Sequence, residues 1–358
     1  MKKRKRIKSL LSLCIVMLLL FTNAPLIMAM DTSVQSNEST DYVLAYYDIA
    51  TGVETMLTAK EAKIRFGLDV DPDTLVISAE PKKPTEEPVE KKLTEKEEKE
   101  VAEANKRGIE RFYELDADRK NSLVPMSEQI NTWQPESADR IADSDIETRT
   151  VVSDLHQHPY YSTAKIYTGD TWIGTGFAVG KNLLATARHC IQKSDGWVSS
   201  VTAYFGFNNN INTYIYKADN AVGYIYYPTE TITNGLEDWA FVVWGTDTVS
   251  STGCFGMNGA GYTGMPVKTI GYPQDLDNGN RMYECSGTIT SCSDYDFICS
   301  LRVYNGQSGS PAYQETAEGP YAIGIVTSSW FPVNGTNAAV ARRIDSGLVG
   351  WLIENGYV

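Results

Sequence analysis

The sequence predicts an all-β fold built from two small antiparallel β-barrels. From about residue 150 onward, short runs rich in Tyr, Thr, Val, Ile and Gly follow one another, such as "WIGTGFAVG", "SVTAYFGF" and "DWAFVVW". A second set runs from "PVKTIGYP" through "YAIGIVTSS" to "AAVARRI". Many short strands separated by turn residues, without intervening helices, are typical of barrels and sandwiches. We therefore expect a first barrel over residues 141–250 and a second over 251–358.

One helix is predicted at the end of the second barrel. In "IDSGLVGWLIENG", a Ser/Asp cap precedes Leu348, Val349, Leu352 and Ile353, which share one helical face.

Residues 1–29 have the features of a secretory signal peptide. "MKKRKRIK" is basic, "SLLSLCIVMLLLF" is an apolar run too short to span a bilayer comfortably, and Ala29 stands at a plausible cleavage position. The alternative is an uncleaved N-terminal anchor. We expect a secreted protein whose mature form has no membrane span.

Residues 30–140 are expected to form a propeptide or linker region. A strand pair is predicted around the Thr51-Gly52 turn, followed by a short helix. A Pro/Lys/Glu-rich spacer then occupies residues 80–110 and has almost no large apolar residues. Such a segment should not bury a core, so it is predicted to be a solvated surface helix or a disordered spacer.

Charge and cysteine content exclude several classes of function. The formal net charge of −13 argues against nucleic-acid binding, which needs a basic surface. Five cysteines lie beyond the signal peptide, and export permits disulfide bonds, although an odd number leaves at least one thiol over. None is in a CxxC pair, which disfavours a zinc ribbon. Cys285 with Cys299, or Cys292 with Cys299, are both open as pairings.

A nucleophile is predicted in "YNGQSGSPAY". Here Gly306 and Gly309 flank Ser308 in a tight turn, where backbone amides can converge without hindrance from a Cβ. A serine hydroxyl needs a base to take its proton, and His189 follows the apolar strand "NLLATA". Asp238, at the start of "DWAFVVW", is the best candidate for the carboxylate that orients the base, with neighbouring Glu237 as its rival.

The other two histidines offer a weaker alternative. His156 and His158 would share one face of a strand, which makes a metal pair conceivable, but no third ligand is apparent. We expect neither a metal nor a cofactor.

In this order, "TGFAVGKNLLATARHC", "EDWAFVV", "IGYPQD", "YECSGTI" and "YNGQSGSPAY" resemble the bacterial glutamyl endopeptidase branch of the chymotrypsin-fold serine proteases. The resemblance covers roughly residues 145–358. It implies two six-stranded antiparallel barrels and peptide-bond hydrolysis through an acyl-enzyme. On the matching motifs, His189 is the general base, Asp238 the orienting acid and Ser308 the nucleophile. The amides of Gly306 and Ser308 would form the oxyanion hole.

The family pattern fails where it determines specificity. Relatives that cleave after glutamate resemble one another in having a histidine and a threonine at two positions. In this sequence Val326 stands at the position of the histidine and Val303 at that of the threonine. Neither valine can donate a side-chain hydrogen bond to a substrate carboxylate. The residue that precedes the scissile bond (P1) is therefore expected to be apolar or small, or glutamate only weakly preferred. Thr327, Ser328 and Ser329 could still supply hydroxyls, and Arg302 a charge.

Activation also departs from the animal digestive proteases, in which an aspartate before the nucleophile pairs with a new N-terminal amine. Gln307 stands there and carries no charge. Arg140-Ile141 is the predicted processing site, and a separate maturation protease is a predicted partner besides protein or peptide substrates. The alternative is that the N-terminal region stays attached as a tethering segment.

Two competing functions follow from residues beside the base. Arg188 is unusual there: it would lower the pKa of His189 if it faced the imidazole, or else point to solvent. A catalytically silent, protease-like binding module is therefore the main alternative, and a thiol hydrolase using Cys190 is the third. The family also often bridges this cysteine to one just upstream of "TG", but Gly174 and Ile173 stand there.

Overall fold

The computed structural model describes residues 42–70, 77–121, 149–180, 182–227, 238–259, 261–292, 296–330 and 338–343. The predicted signal peptide, the Arg140-Ile141 site, Glu237 and the predicted C-terminal helix lie outside these residues.

The N-terminal part of the described chain is a hairpin followed by a helix, as the Thr51-Gly52 turn predicts. Asp48 Oδ1 accepts hydrogen bonds from the amide and the hydroxyl of Thr51, each at 2.8 Å, and these bonds close the turn. Thr58 and Glu61 then form a reciprocal capping box at the start of the helix. The elements are β1 (Tyr42–Asp48), β2 (Glu54–Thr58) and α1 (Ala59–Phe66).

Most of the remaining chain is short strands, in agreement with the alternating runs of the sequence. Up to the middle of the chain they are β3 (Asp69–Val70), β4 (Ile77–Ser78), β5 (Lys91–Lys92), α2 (Glu95–Asn121), β6 (Thr150–Val151), β7 (Thr163–Thr168), β8 (Thr171–Val179), β9 (Leu183–Thr186), α3 (Arg188–Ile191), β10 (Gln192–Lys193), β11 (Gly196–Trp197), β12 (Thr202–Phe205), β13 (Thr213–Tyr214), β14 (Tyr216–Ala218), β15 (Ala221–Tyr226) and β16 (Ala240–Trp244). They continue with α4 (Val249–Thr252), β17 (Gly256–Met257), β18 (Pro266–Gly271), β19 (Tyr283–Cys292), β20 (Asp296–Cys299), β21 (Pro311–Glu315), β22 (Pro320–Trp330) and β23 (Ala338–Arg343).

The first large sheet has nine antiparallel strands in the order β14-β12-β7-β8-β9-β16-β15-β1-β2. Seven of them come from the predicted first barrel. The N-terminal hairpin adds two more, because β1 pairs with β15 in the register Ala45↔Tyr226. Within the described residues, the pairings of this sheet do not return to their starting strand.

The second large sheet has eight strands, and six of them pair in a cycle. The order is β17-β22-β21-β18-β19-β20-β23, with β6 beside β19, and β23 also pairs with β22. Only β17 runs parallel to its neighbour. The all-β class predicted from the sequence is confirmed.

The core consists of two hydrophobic clusters. The larger cluster includes residues of the first sheet and of the N-terminal region, such as Leu44, Leu57 and Phe66, and extends to strands β18, β21 and β22 of the second sheet. The smaller cluster lies inside the second sheet, with Ile289, Phe297 and Leu301 fully buried. No helix among the described residues is both long enough and apolar enough to cross a membrane.

The expectation that residues 80–110 contribute no core is wrong for the second half of that segment. Helix α2 begins at Glu95 and buries Val101, Ala104 and Phe112. These residues are few, but their spacing places them on one helical face. Residues 42–121 therefore pack into the same compact unit as the two sheets, Asp41–Val358.

Candidate active site

Strand β9 ends shortly before His189 and so determines where this residue lies relative to the first sheet. Its four residues are fully buried and pair with β8 and β16, which fixes the point where the chain leaves the sheet. The short helix α3 follows at once and carries His189 in its second position. Lys193 Nζ donates to the carbonyls of His189 (2.9 Å) and Cys190 (3.0 Å), so the turn is closed from its C-terminal side.

Asp238 holds His189 through two hydrogen bonds. The Asp238 Oδ1 atom accepts from the His189 backbone amide at 2.8 Å, and Oδ2 lies 2.7 Å from His189 Nδ1. The Asp238 side chain is 9% exposed, whereas the imidazole is 38% exposed. Both carboxylate oxygens thus accept a hydrogen bond from His189, and the ring keeps access to solvent.

The pair shifts the proton affinity of the imidazole. Burial has the largest single effect and would lower the pKa of His189, but it is outweighed by several opposing effects together, of which the negative charge of Asp238 is the largest. The hydrogen bond to Asp238 and a contribution from Cys190 act in the same direction. The pKa of His189 is therefore raised above its usual value of about 6.5.

Ser308 lies in a turn that is hydrogen-bonded to strand β8 of the first sheet. The Ser308 carbonyl accepts from the Thr175 amide at 2.9 Å, and Thr175 Oγ1 donates to the Gly306 carbonyl at 2.8 Å. The hydroxyl of Thr175 also accepts from the Tyr272 amide at 3.2 Å. One threonine therefore connects the turn to both sheets.

Gly306 can be only glycine in this turn. Its φ is +88°, and a Cβ would overlap Trp172 Cζ2 and stand 2.5 Å from the Tyr272 carbonyl oxygen. The next residue, Gln307, is buried, and its Oε1 accepts from the Tyr304 amide at 3.0 Å. Gln307 thus stabilises the turn from within. It occupies the position at which the animal digestive proteases have an aspartate.

Two backbone amides of the turn and the Ser308 hydroxyl have no hydrogen bond to the part of the protein that the structure describes. Within the described residues, neither the Gly306 nor the Ser308 amide donates a hydrogen bond to the protein. No hydrogen bond between Ser308 Oγ and His189 is present among them either. Such bonds are commonly long before substrate binds.

Similarity to known proteins agrees with this geometry. Residues 174–325 match the family of trypsin-like peptidase domains. The chain is 29% identical over 216 residues to the extracellular metalloprotease of Bacillus subtilis (strain 168), and 25% identical over 214 residues to the glutamyl endopeptidase of Bacillus licheniformis. Both alignments cover 57% of this chain and 66% of the relative, just under two thirds of its length.

Residues 174–325, which include His189, Asp238 and Ser308, are therefore similar to a trypsin-like peptidase domain. The resemblance to the glutamyl endopeptidase branch, predicted from the motifs, is confirmed. A solved structure of a Glu endopeptidase in complex with MPD is similar in fold, with a TM-score of 0.50 and 21% identity. It covers 60% of this chain and 99% of that one.

Of the three predicted substrate-binding residues, Val326 is the one that pairs with the turn that carries Ser308. Val326 exchanges backbone hydrogen bonds with it: its carbonyl accepts from Gly309 at 2.7 Å and its amide donates to Ser310 at 2.9 Å. Val303 and Val326 are 2% and 1% exposed, and both belong to the second hydrophobic cluster. Thr327 is 9% exposed.

Cys190 faces away from the solvent side of the site. Its Sγ lies 3.5 Å from the Ile173 carbonyl oxygen and 3.9 Å from that of Ser308, and the residue is 1% exposed. A Cβ on Gly174 would stand 2.9 Å from this sulfur. The same Cβ would also stand 2.7 Å from the Ser308 carbonyl oxygen, so a cysteine at position 174 would reach Cys190 only with a shift of the Ser308 turn.

None of the five cysteines, all within the described residues, forms a disulfide bond. The hairpin of β19 and β20 places Cys299 opposite Ile289, four residues from Cys285. Cys292 lies opposite Phe297 instead. The expected disulfide is absent because, in this hairpin register, the two cysteines of each candidate pair do not lie opposite each other.

Arg188 is buried, and both expectations for it are wrong. Its guanidinium lies over the rings of Tyr226 and Trp197, 4.7 Å and 5.5 Å from their centroids. Its Nε donates to Gln192 Oε1 at 2.7 Å. Adjacent residues of a helix do not face each other, so the Arg188 cation stabilises an aromatic cluster. The pKa of His189 is raised by Asp238 instead.

The remaining histidines do not form a pair. Residues 155–159 make turns, not a strand, so the argument that His156 and His158 share a face does not apply. His156 is exposed beside Asp154, while burial lowers the pKa of His158 to about 4. In the part of the chain that the structure describes, no group of three or more His, Cys, Asp or Glu side chains is placed to hold a metal ion.

Sequence reasoning did not find two residues that contact the turn of Ser308, or an ion pair that lies just before β6. Thr175 was read only as part of the "TG" motif, and Trp172 only as a strand residue. Arg149 forms a bidentate ion pair with Asp275 at 2.6 and 2.8 Å, just before β6 joins β19. The sequence around Trp172 does not indicate its partner Gly306, which lies more than a hundred residues further along the chain.

Proposed function

We propose that the protein is a secreted serine endopeptidase that hydrolyses peptide bonds through an acyl-enzyme. His189 is the base, Asp238 orients it, and Ser308 is the nucleophile. The observation that carries the proposal is the double hydrogen bond from Asp238 to the backbone and ring of His189. A buried carboxylate that uses both oxygens on one histidine has the arrangement that base catalysis requires.

The carboxylate determines which ring nitrogen can act. Because Asp238 accepts at Nδ1, the proton of the neutral ring resides there and Nε2 is left as the acceptor. Nε2 takes the proton of Ser308 Oγ as that oxygen attacks the substrate carbonyl carbon. It then delivers the proton to the leaving amine as the C–N bond breaks. Water repeats the sequence on the acyl-enzyme and releases the acid.

The amides of Gly306 and Ser308 would bind the oxyanion of each tetrahedral intermediate. Both have no partner within the described protein, and the left-handed backbone at Gly306 supports the turn that presents them. Removing one such donor typically costs ~10²–10³-fold in kcat.

For specificity, we propose an apolar or small P1 residue. The support is that Val303 and Val326 are core residues without a side-chain donor, so a buried glutamate side chain would find fewer hydrogen-bond donors here than in relatives with a histidine and a threonine at these positions. Cleavage-site profiling on a peptide library should give apolar or small residues at P1. A dominant glutamate would exclude this specificity without affecting the proposed reaction.

Secretion and maturation belong to the same proposal. The basic and apolar runs of residues 1–29 support export, and the Bacillus subtilis relative is named as extracellular. We propose cleavage at Arg140-Ile141 by a maturation protease. N-terminal sequencing of the secreted protein should give a chain that starts near Ile141, and a start at residue 30 or 31 alone would contradict processing.

The decisive variants are two serines of the same turn. Ser308→Ala should abolish peptide hydrolysis, whereas Ser310→Ala should leave it nearly unchanged, because Ser310 Oγ is buried without a hydrogen-bond partner. Cys190→Ala should also retain activity, since its thiol is inaccessible. Hydrolysis that survives Ser308→Ala but not Cys190→Ala would indicate a thiol hydrolase. No hydrolysis by the wild type would indicate a binding module.

A further inference from the structure

Helix α2 meets the peptidase domain at a close contact centred on Gly108. A Cβ at this position would stand 2.6 Å from the carbonyl oxygen of Trp172 and 2.9 Å from its Cβ. Only glycine therefore allows the helix to approach strand β8 so closely. Glycine inside a helix costs about 1 kcal/mol relative to alanine, so the residue serves the contact at the expense of the helix.

Polar contacts on both sides of Gly108 fix the orientation of the helix. Buried Asn105 accepts from the Tyr167 hydroxyl at 3.0 Å, and Arg107 Nε donates to the Asp170 carbonyl at 2.7 Å. Glu97 forms a 3.0 Å ion pair with Lys217 at the far end. A helix held only by apolar burial could rotate, whereas these contacts define a single docked position.

Beyond Gly108, the helix covers the indole of Trp172. The rings of Phe112 and Trp172 meet edge to face at 90°, with centroids 5.1 Å apart. Trp172 is fully buried. Lys165 Nζ lies 3.8 Å from the centroid of the indole, and Trp172 Nε1 donates to the Gly174 carbonyl at 3.1 Å.

The same indole supports the oxyanion turn. The position of a Cβ on Gly306 would overlap Trp172 Cζ2 and lie 2.8 Å from Cη2, so the ring edge is in contact with that glycine. Trp172 is therefore placed between helix α2 and the turn that carries Ser308. Any movement of the indole toward a vacated helix site would remove the surface against which Gly306 rests.

We propose that α2 is a positioning element of the active site, which keeps the oxyanion turn in shape by holding Trp172 against Gly306. Residues 42–121 accordingly stay bound to the peptidase domain in the active enzyme, also when the chain that follows them is cut. The imidazole of His189 is 38% exposed with the helix in place, so docking leaves the base open. This inference rests on the proposed peptidase function.

The test is a pair of opposite substitutions in α2 of the full chain. Gly108→Ala improves helix propensity but collides with Trp172, and Ala102→Gly, on an exposed position, weakens the helix by a similar amount without touching the domain. We expect Gly108→Ala to lower kcat at least ~10-fold with KM within ~2-fold, since the lost interaction is one made in the transition state. Ala102→Gly should retain kcat.

Three results would overturn the inference. They are an unchanged or higher kcat in Gly108→Ala, a loss confined to Ala102→Gly, and a fully active processed enzyme from which residues 42–121 have separated on size-exclusion chromatography. If Gly108→Ala does not fold, Phe112→Ala replaces it, because this variant removes the ring contact and introduces no collision. A wild type without any hydrolytic activity would instead contradict the proposed function itself.

Discussion

Replacing Asp238 by asparagine tests how the base is held. Asparagine has nearly the shape of aspartate but accepts hydrogen bonds through one oxygen only and donates through its nitrogen. Asp238 now accepts from two donors of His189, the backbone amide at 2.8 Å and Nδ1 at 2.7 Å. If the amide bond is kept, the asparagine NH₂ faces Nδ1, and the ring proton must move to Nε2.

The loss should be large because that tautomer cannot accept the proton of Ser308. The equivalent change in a Ser-His-Asp triad lowers kcat by ~10⁴-fold, which corresponds to about 5 kcal/mol in the barrier. The variant also loses the charge that raises the pKa of His189, so its remaining activity should follow a different pH profile.

The assay is kcat and KM on a peptide substrate across pH, with Asp48→Asn as the matched control. Asp48 also accepts a backbone hydrogen bond, from Thr51 at 2.8 Å, but it lies in the exposed N-terminal hairpin and should not change turnover. An Asp238→Asn enzyme within ~10-fold of the wild-type kcat, or with an unchanged pH profile, would refute the assigned role of the carboxylate.

Three further predictions concern the same region. Because the raised pKa of His189 leaves the base neutral only at higher pH, kcat/KM should rise with pH into the alkaline range. The His189–Asp238 pair should contribute its full stability below about pH 6.5. That contribution should fall as pH rises through the raised pKa of His189, which urea unfolding at several pH values would measure. Gly306→Ala should lower the unfolding free energy by about 2 kcal/mol or more and abolish activity, because a Cβ would overlap Trp172; equal thermal stability would contradict the described turn. Gly174→Cys should form a disulfide with Cys190 under oxidising conditions, since the new Cβ would stand 2.9 Å from that sulfur, and it should displace the Ser308 turn, whose carbonyl oxygen would lie 2.7 Å from the same Cβ; a thiol titration without loss of thiols would count against this geometry.

Local pattern was sufficient for the strands and for the residues around His189 and Ser308. Short runs rich in apolar and β-branched residues between turns identify β8, β9 and β16, and the Gly-rich turn identifies the loop of Ser308, because these signals depend only on near neighbours in the chain. Asp238 could be chosen because a carboxylate at the start of a buried strand needs a partner. The strand it precedes, β16, is buried at all five positions.

Contacts between distant segments could not be predicted in the same way. The interface of α2 depends on a glycine, Gly108, that in sequence only weakens a helix, and on Trp172, whose partners lie elsewhere in the chain. Arg188 was interpreted from its neighbour His189, although its actual partners are aromatic rings on β11 and β15. A charged side chain can be buried at low cost when such partners surround it, but their convergence is a property of the fold.

The most direct test of the central claim is to label the processed protein with a serine-reactive phosphonate and locate the adduct by peptide mass mapping. A single adduct on Ser308, absent from both Ser308→Ala and Asp238→Asn under the same conditions and present in Ser310→Ala, is the result we predict. Absence of labelling in the wild type, or an adduct on another serine with Ser308 unmodified, would contradict the assignment of Ser308, His189 and Asp238 as the catalytic residues.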